Sequence, residues 1–169
     1  MAPDERHDGL RPDEDERRKT GPIMQARQSP SPIVVTHEKG LSFAAQIREH
    51  RLLTDQSARA GGEDTAPSPT ELISAALGSC IALYVYQFCV SRGLSHDGMR
   101  IEVTPRNVAN PNRIVELSVA VFIPGTLSAH TREMLERVVR SCPVHNTLAH
   151  GAEVSVAIEV GSTAHAIHG

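Results

Sequence analysis

Aromatic side chains are nearly missing: the 169 residues hold no Trp, two Tyr and three Phe, 3% in all. A module that recognises bases or sugars by stacking them on aromatic faces is therefore not expected. Charge of one sign is lacking too. Seventeen Lys and Arg stand against twenty Asp and Glu, a net charge of −3. Such a chain offers no broad basic surface to a phosphate backbone, and no nucleic-acid partner is expected. Three cysteines are too few, and odd in number, for a secreted disulfide scaffold. They read as thiols of a reducing compartment, which points to the cytoplasm. Residues 1–30 contain no apolar run, so no secretory signal is expected there. Their acidic residues, among them Asp4, Glu5, Asp8, Asp13 and Glu16, also argue against a transit peptide. The expected organisation is a disordered charged arm over 1–30, one domain over 31–161 and a flexible tail over 162–169.

What is present is apolar material for a core, 40% of the chain. Leu72–Ser91 contains no charge and is long enough to span a bilayer. Ser74, Gly78, Ser79, Gln87 and two tyrosines dilute it, and no second span accompanies it. It reads as a helix buried inside a small protein or a dimer, with no membrane association. Its start is marked by Ser68 as N-cap, Pro69 at the first helical position and Glu71 three residues after the cap. Its end is marked by Arg92-Gly93.

Before this helix, Ile33–His37 and Leu41–Ile47 read as strands around a turn at Lys39-Gly40, with Arg51–Asp55 as a third. After it, Met99–Val108 and Ile114–Ile123 read as a hairpin turning at Pro111-Asn112. Ser128–Ser141 is expected to be a helix burying Met134, Leu135, Val138 and Val139, with Arg132, Glu133, Glu136, Arg137 and Arg140 facing water. Cys142-Pro143 ends it and opens a short third helix. Glu153–Val160 alternates as a final strand. The order predicts an α+β fold without Rossmann-like alternation.

Cys80 lies inside the uncharged helix and Cys89 nine residues further on. Nine helical residues turn about 900°, leaving the two side chains about 180° apart and about 13 Å apart along the axis. No disulfide joins them within one helix, since that needs Cα atoms within about 7 Å. Cys89 reads as a packed small hydrophobe. If Cys80 pairs within the chain, it pairs with Cys142. Local physics does not rank these two sulfurs. Cys80 is too deep in its helix for the macrodipole, whereas Cys142 precedes a helix start that favours a thiolate. An inert buried thiol at Cys80 is the plain alternative.

Two stretches carry a family resemblance. Pro67-Ser68-Pro69-Thr70-Glu71-Leu72-Ile73-Ser74-Ala75-Ala76-Leu77-Gly78-Ser79-Cys80 resembles the first cysteine motif of the OsmC/Ohr family, the osmotically inducible and organic-hydroperoxide-resistance proteins. Cys142-Pro143-Val144-His145-Asn146-Thr147-Leu148 resembles the second, and Leu52–Gln56 and Gly61-Gly62 also fit. The likeness runs over residues 31–160. It implies a two-layer α+β fold with antiparallel sheets and a long central helix, assembled as an intertwined homodimer with the central helices back to back.

It further implies a thiol-dependent peroxidase acting on organic hydroperoxides or hydrogen peroxide. Cys80 would become a sulfenic acid, Cys142 would resolve it to a disulfide, and an external dithiol would reduce that, with no cofactor or metal. In the hydroperoxide subgroup an Arg of the first strands and a Glu at the start of the cysteine helix hold the thiolate. Arg48, rather than Arg51, takes the Arg position. Thr70 stands where that Glu is expected, and Glu71 falls one residue along, on the far helical face from Cys80.

That departure motivates an alternative: a non-enzymatic relative that binds a small ligand or serves as a structural dimer. Thr70, Glu71 and His145, the last beside Cys142, are candidate pocket residues, and no set of four ligands supports a metal site. His50 reads as a surface residue. His165 and His168 lie in the expected tail and are given no role.

Overall fold

The computed structural model of the chain describes residues 31–161; the expected arm over 1–30 and tail over 162–169, with His165 and His168, lie outside the described residues. Strands β1 (Val34–Lys39), β2 (Ser42–Ile47) and β3 (His50–Thr54) form an antiparallel sheet in that order. Gly40, with φ of 53°, makes the first turn in the left-handed region that glycine tolerates. Every residue of β1 is exposed. Only Ser42 and Ala44 of this sheet are buried.

The long helix α1 runs Pro69–Ser91. Its capping box forms as the sequence implies: the Glu71 N–H donates to the Ser68 hydroxyl at 3.4 Å, and the Glu71 carboxylate accepts from the Ser68 N–H at 2.7 Å. The buried residues Ser74, Leu77, Ile81, Val85 and Phe88 recur every three or four positions, a single stripe on one side of the helix. The other side carries Leu83, Tyr86 and Val90, all exposed. The helix is long and apolar enough to cross a membrane by length and composition, yet its stripe packs on protein.

Strands β4 (Arg100–Ala109) and β5 (Asn112–Phe122) form the expected antiparallel hairpin. The alternation of β5 turns Leu117, Val119 and Val121 inward while Glu116, Ser118 and Ala120 stay exposed. Helix α1 lies on β4, and Gly78 permits the approach: a Cβ there would sit 3.2 Å from the Val103 Cγ2. Helices α2 (Ala129–Arg140) and α3 (Pro143–His150) pack on α1. In α2 Leu135 is buried, Met134, Val138 and Val139 are half-buried, and the charged face is exposed as its sequence implies. The core joins the α1 stripe to Leu135, Cys89 and Cys142.

One expected element does not form. Glu153–Val160 takes no strand pairing, and its alternating Val154, Val156, Ile158 and Val160 are 82, 82, 87 and 97% exposed. A strand needs an edge to complete its hydrogen bonds, and this segment meets none within a single chain. The sheet of β1–β3 likewise makes no extended packing contact with the helices of its own chain.

Candidate functional site

The site is built where α2 gives way to α3. Proline has no N–H and disfavours helix for the residue before it, so Pro143 both halts α2 and starts α3. Cys142 between them is extended, with φ −60° and ψ 128°, and forms the N-cap of α3. Its sulfur accepts from the His145 N–H at 3.5 Å, the bond a Ser or Asp oxygen usually takes at this position. The side chain is fully buried.

Helix α1 brings Cys80 to the same point. Cys80 packs against the core cluster that contains Cys142, and the Cys142 thiol is near enough to act on its ionisation. Both residues are free thiols, and so is Cys89. Cys89 sits elsewhere on α1, wholly buried in the core, where burial pushes its thiol up. The structure thus brings together the two sulfurs that helical geometry left as the possible pair and keeps the third apart. Cys80 is only partly buried and Cys142 is sealed, a difference that sequence did not supply.

Burial raises the Cys80 thiol above its ordinary range, and the neighbouring Cys142 adds to the rise, while the Val144 N–H opposes it. Among the described residues of one chain, no guanidinium offsets that burial. Arg48 is in the β2–β3 turn, exposed, with a left-handed φ of 54° and its carbonyl accepting from the Gln46 side chain at 2.6 Å. Arg51 pairs with Glu38 at 2.9 Å on the surface of the same sheet. Arg59 is exposed in a short 3-10 turn.

Thr70 is exposed in the first turn of α1, its hydroxyl 3.2 Å from that of Ser68. Glu71 is committed to the helix cap, and hydrogen bonds from Ser68 hold its carboxyl below the usual range. The regular first turn therefore keeps Glu71 away from the thiols, as its offset from Cys80 implies. His50 is exposed at the start of β3.

His145 is half-buried and forms a wall between two clefts. One, of about 670 Å³, has Leu77, Ile81, Leu117 and Leu135 inside and Arg132 and Arg140 in its lining. The other, of about 510 Å³, runs past Thr70, Ile73, Leu77 and Leu148 to Arg113. Both clefts are lined by Leu77, about one turn before Cys80 on α1, and by His145, three residues after Cys142; neither cysteine is itself in their lining. Among the described residues, no three His, Cys, Asp or Glu side chains gather to hold a metal ion.

Two contributors escaped sequence reading. The Val144 main-chain N–H acts through its backbone, and only the Cys-Pro helix start hinted at it. Asp55 is buried between β3 and α1, where it fixes the loop leading into the cysteine helix.

Among curated proteins none matches the chain. Solved structures share its fold at low identity. A Psychrobacter arcticus protein described as an osmotic stress induced and detoxification response protein is 24% identical, with a TM-score of 0.64 over 71% of this chain and 89% of that one. An organic hydroperoxide resistance protein OsmC from Legionella pneumophila is 17% identical, with a TM-score of 0.52 over 72% and 91%. An organic hydroperoxide resistance protein from Vibrio cholerae, holding captopril in one of its active sites, is 15% identical, with a TM-score of 0.55 over 72% and 87%. The profile of the family described as OsmC-like protein matches residues 61–157, which spans the long helix and both cysteines of the pair, and the chain belongs to that family.

Proposed function

We propose that this chain is a homodimeric, cysteine-based hydroperoxide reductase of a reducing cytoplasm. The observation that supports it most is the packing of Cys80 against the core cluster that holds Cys142, two cysteines far apart in sequence. Exposure divides their roles. Cys80 is the one a substrate reaches, and its thiolate attacks the distal peroxide oxygen. The O–O bond breaks, the alcohol leaves with a proton, and Cys80 becomes a sulfenic acid. The Cys142 thiolate then attacks the Cys80 sulfur, an S–S bond forms, and water departs. An external dithiol reduces the disulfide by exchange and leaves as its own disulfide. Relatives of this fold carry descriptions naming organic hydroperoxide resistance, which favours that substrate class. The apolar clefts beside Leu77 suit the organic part of such a peroxide.

The activating cation belongs to the dimer. Arg48 rides on a sheet that leaves the helices of its own chain uncovered, so the guanidinium meets Cys80 from a second copy. Thr70 offers that guanidinium a hydroxyl in place of a carboxylate. The same Thr70, with a thiol that burial raises in a single chain, favours the second reading, a non-enzymatic protein holding a small apolar ligand in the clefts.

Turnover of cumene hydroperoxide with excess dithiol separates the two. The enzyme reading expects wild-type consumption that Cys80→Ser abolishes and Cys89→Ser leaves unchanged, with Cys142→Ser stopping after about one equivalent. Consumption that survives Cys80→Ser refutes the assignment, and its absence in the wild type favours the binder.

A further inference from the structure

Two unfinished parts of the fold match each other. Strand β4 pairs with β5 on one side, and among the described residues nothing takes its other edge. Between that edge and α1 runs a slot of about 440 Å³. Its α1 wall is made of small residues, among them Ser74, Gly78 and Ala82, and its β4 wall of Met99, Ile101 and Val103. Ser74 is only 9% exposed, and its hydroxyl has no hydrogen-bond partner among the described residues. The Ser79 hydroxyl, by contrast, turns back onto the Ala75 carbonyl at 2.7 Å. A buried polar group needs a partner, and that of Ser74 has to arrive with whatever fills the slot. The second unfinished part is Glu153–Val160, whose branched row of Val154, Val156, Ile158 and Val160 meets no strand of its own chain.

We propose that Glu153–Val160 of a second copy adds as an antiparallel strand to the free edge of β4, with its branched row in the slot. This pairing deepens the homodimer reading above and rests on it. Charge sets the register. The exposed row of β4 carries Arg100 and Arg106, six positions apart, and the polar row of the segment carries Glu153 and Glu159, also six apart. Each strand rises about 3.3 Å per residue, so Glu159 opposite Arg100 puts Glu153 opposite Arg106. The two arginines already pair with Glu102 and Glu116 of their own sheet, and the five donors of a guanidinium leave room for a second carboxylate. The same register sets Val160 against Met99, Ile158 against Ile101 and Val156 against Val103, over the small residues of α1. A parallel strand would align the same charges but set Val160 against exposed Asn107, beyond the bulge of β4. Pro105, which has no N–H to give, falls opposite Val154 near the end of the run. The edge of β1 is open too, but no helix of its chain lies on that sheet to receive an apolar row. The segment follows α3 after Gly151 and Ala152 alone, so each α3 becomes tied to the cysteine helix of the other copy.

The register is tested in the full chain with the double variant Glu102→Cys/Ala157→Cys, whose two new thiols fall opposite each other on the solvent face. Facing residues of an antiparallel pair lie within disulfide reach. Mild oxidation is expected to give a covalent dimer, with positions 102 and 157 of different copies joined in peptide mass spectrometry. Val35→Cys/Ala157→Cys, aimed at the edge of β1, is expected to stay unlinked. A chain that sediments as a dimer but forms no linkage between positions 102 and 157, or links through position 35 instead, overturns the pairing and leaves the homodimer standing. A chain that sediments with the mass of one copy removes both.

Should the double variant fail to fold, hydrogen exchange of the wild-type dimer decides. The amides of Glu153–Val160 are expected to exchange about 100-fold or more slower than those of a free chain, because half of them enter a ladder and the rest are covered. A segment that exchanges at free-chain rates in the dimer overturns the proposal. Peroxide consumption, measured separately, tests the enzymatic reading alone.

Discussion

Asp55 shows how much a single side chain can organise. Its carboxylate is buried and accepts from the N–H groups of Gln56, Glu63 and Thr65 and from the Thr65 hydroxyl, at 2.7–3.2 Å. Its own N–H donates to the Pro67 carbonyl at 3.3 Å, which closes the loop one residue before the α1 cap. Gly62 lets the loop close, because a Cβ there would lie 1.9 Å from the Gln56 carbonyl oxygen. The hydrogen bonds, that from the Thr65 amide foremost, hold the Asp55 carboxyl below its usual range near pH 4. A carboxyl depressed by folding contributes stability above its unfolded pKa and loses it as pH falls through the folded one. Urea unfolding is therefore expected to weaken below about pH 4. Asp55→Asn should be less stable at neutral pH and show a shallower acid decline, the remainder coming from Glu71 and Glu116, whose carboxyls are also held low. An undiminished acid decline in Asp55→Asn contradicts the role given to this side chain. Gly62→Ala, which drives a methyl into backbone, should destabilise the fold more than any neighbouring loop substitution.

At the scale of elements, local signals did most of the work. Ser68-Pro69-Thr70-Glu71 carries its cap, its first-position proline and its reciprocal carboxylate within four residues, so the start of α1 was readable without tertiary information. Ser68→Ala should lower stability by about 1 kcal/mol in denaturant titrations, and a value near zero would show that α1 is held by packing alone. The Cys142-Pro143 junction was readable for the same reason. Glu153–Val160 was not. Its alternation is that of a strand, but alternation states only which faces differ, and the partner edge is a long-range fact. The capping bonds of Glu71 to Ser68 are local and follow from the same four residues. The amide of Val144 was invisible because side-chain chemistry says little about a main-chain donor.

The whole molecule exposes more apolar surface than its core explains. Leu83, Tyr86 and Val90 line the open side of α1, Val34, Val35, Phe43 and Leu52 cover the first sheet, and the alternating residues after α3 stand in the open. Exposed apolar side chains in this number mark association. The account therefore expects a dimer that uses these surfaces, and Val156→Lys should shift sedimentation toward the mass of one chain; a variant that stays dimeric removes this segment from the interface. Sequence reading supplied the helix and both cysteines, whereas an activating Arg proposed to come from a second copy is a relation between chains that no single-chain pattern encodes. The central claim is that Cys80 and Cys142 act as one redox pair. It is tested most directly by adding one equivalent of cumene hydroperoxide to the reduced full chain and mapping its disulfides by peptide mass spectrometry. The account predicts a Cys80–Cys142 linkage with Cys89 still free; two reduced thiols after that exposure, or Cys80 bonded elsewhere, would contradict it.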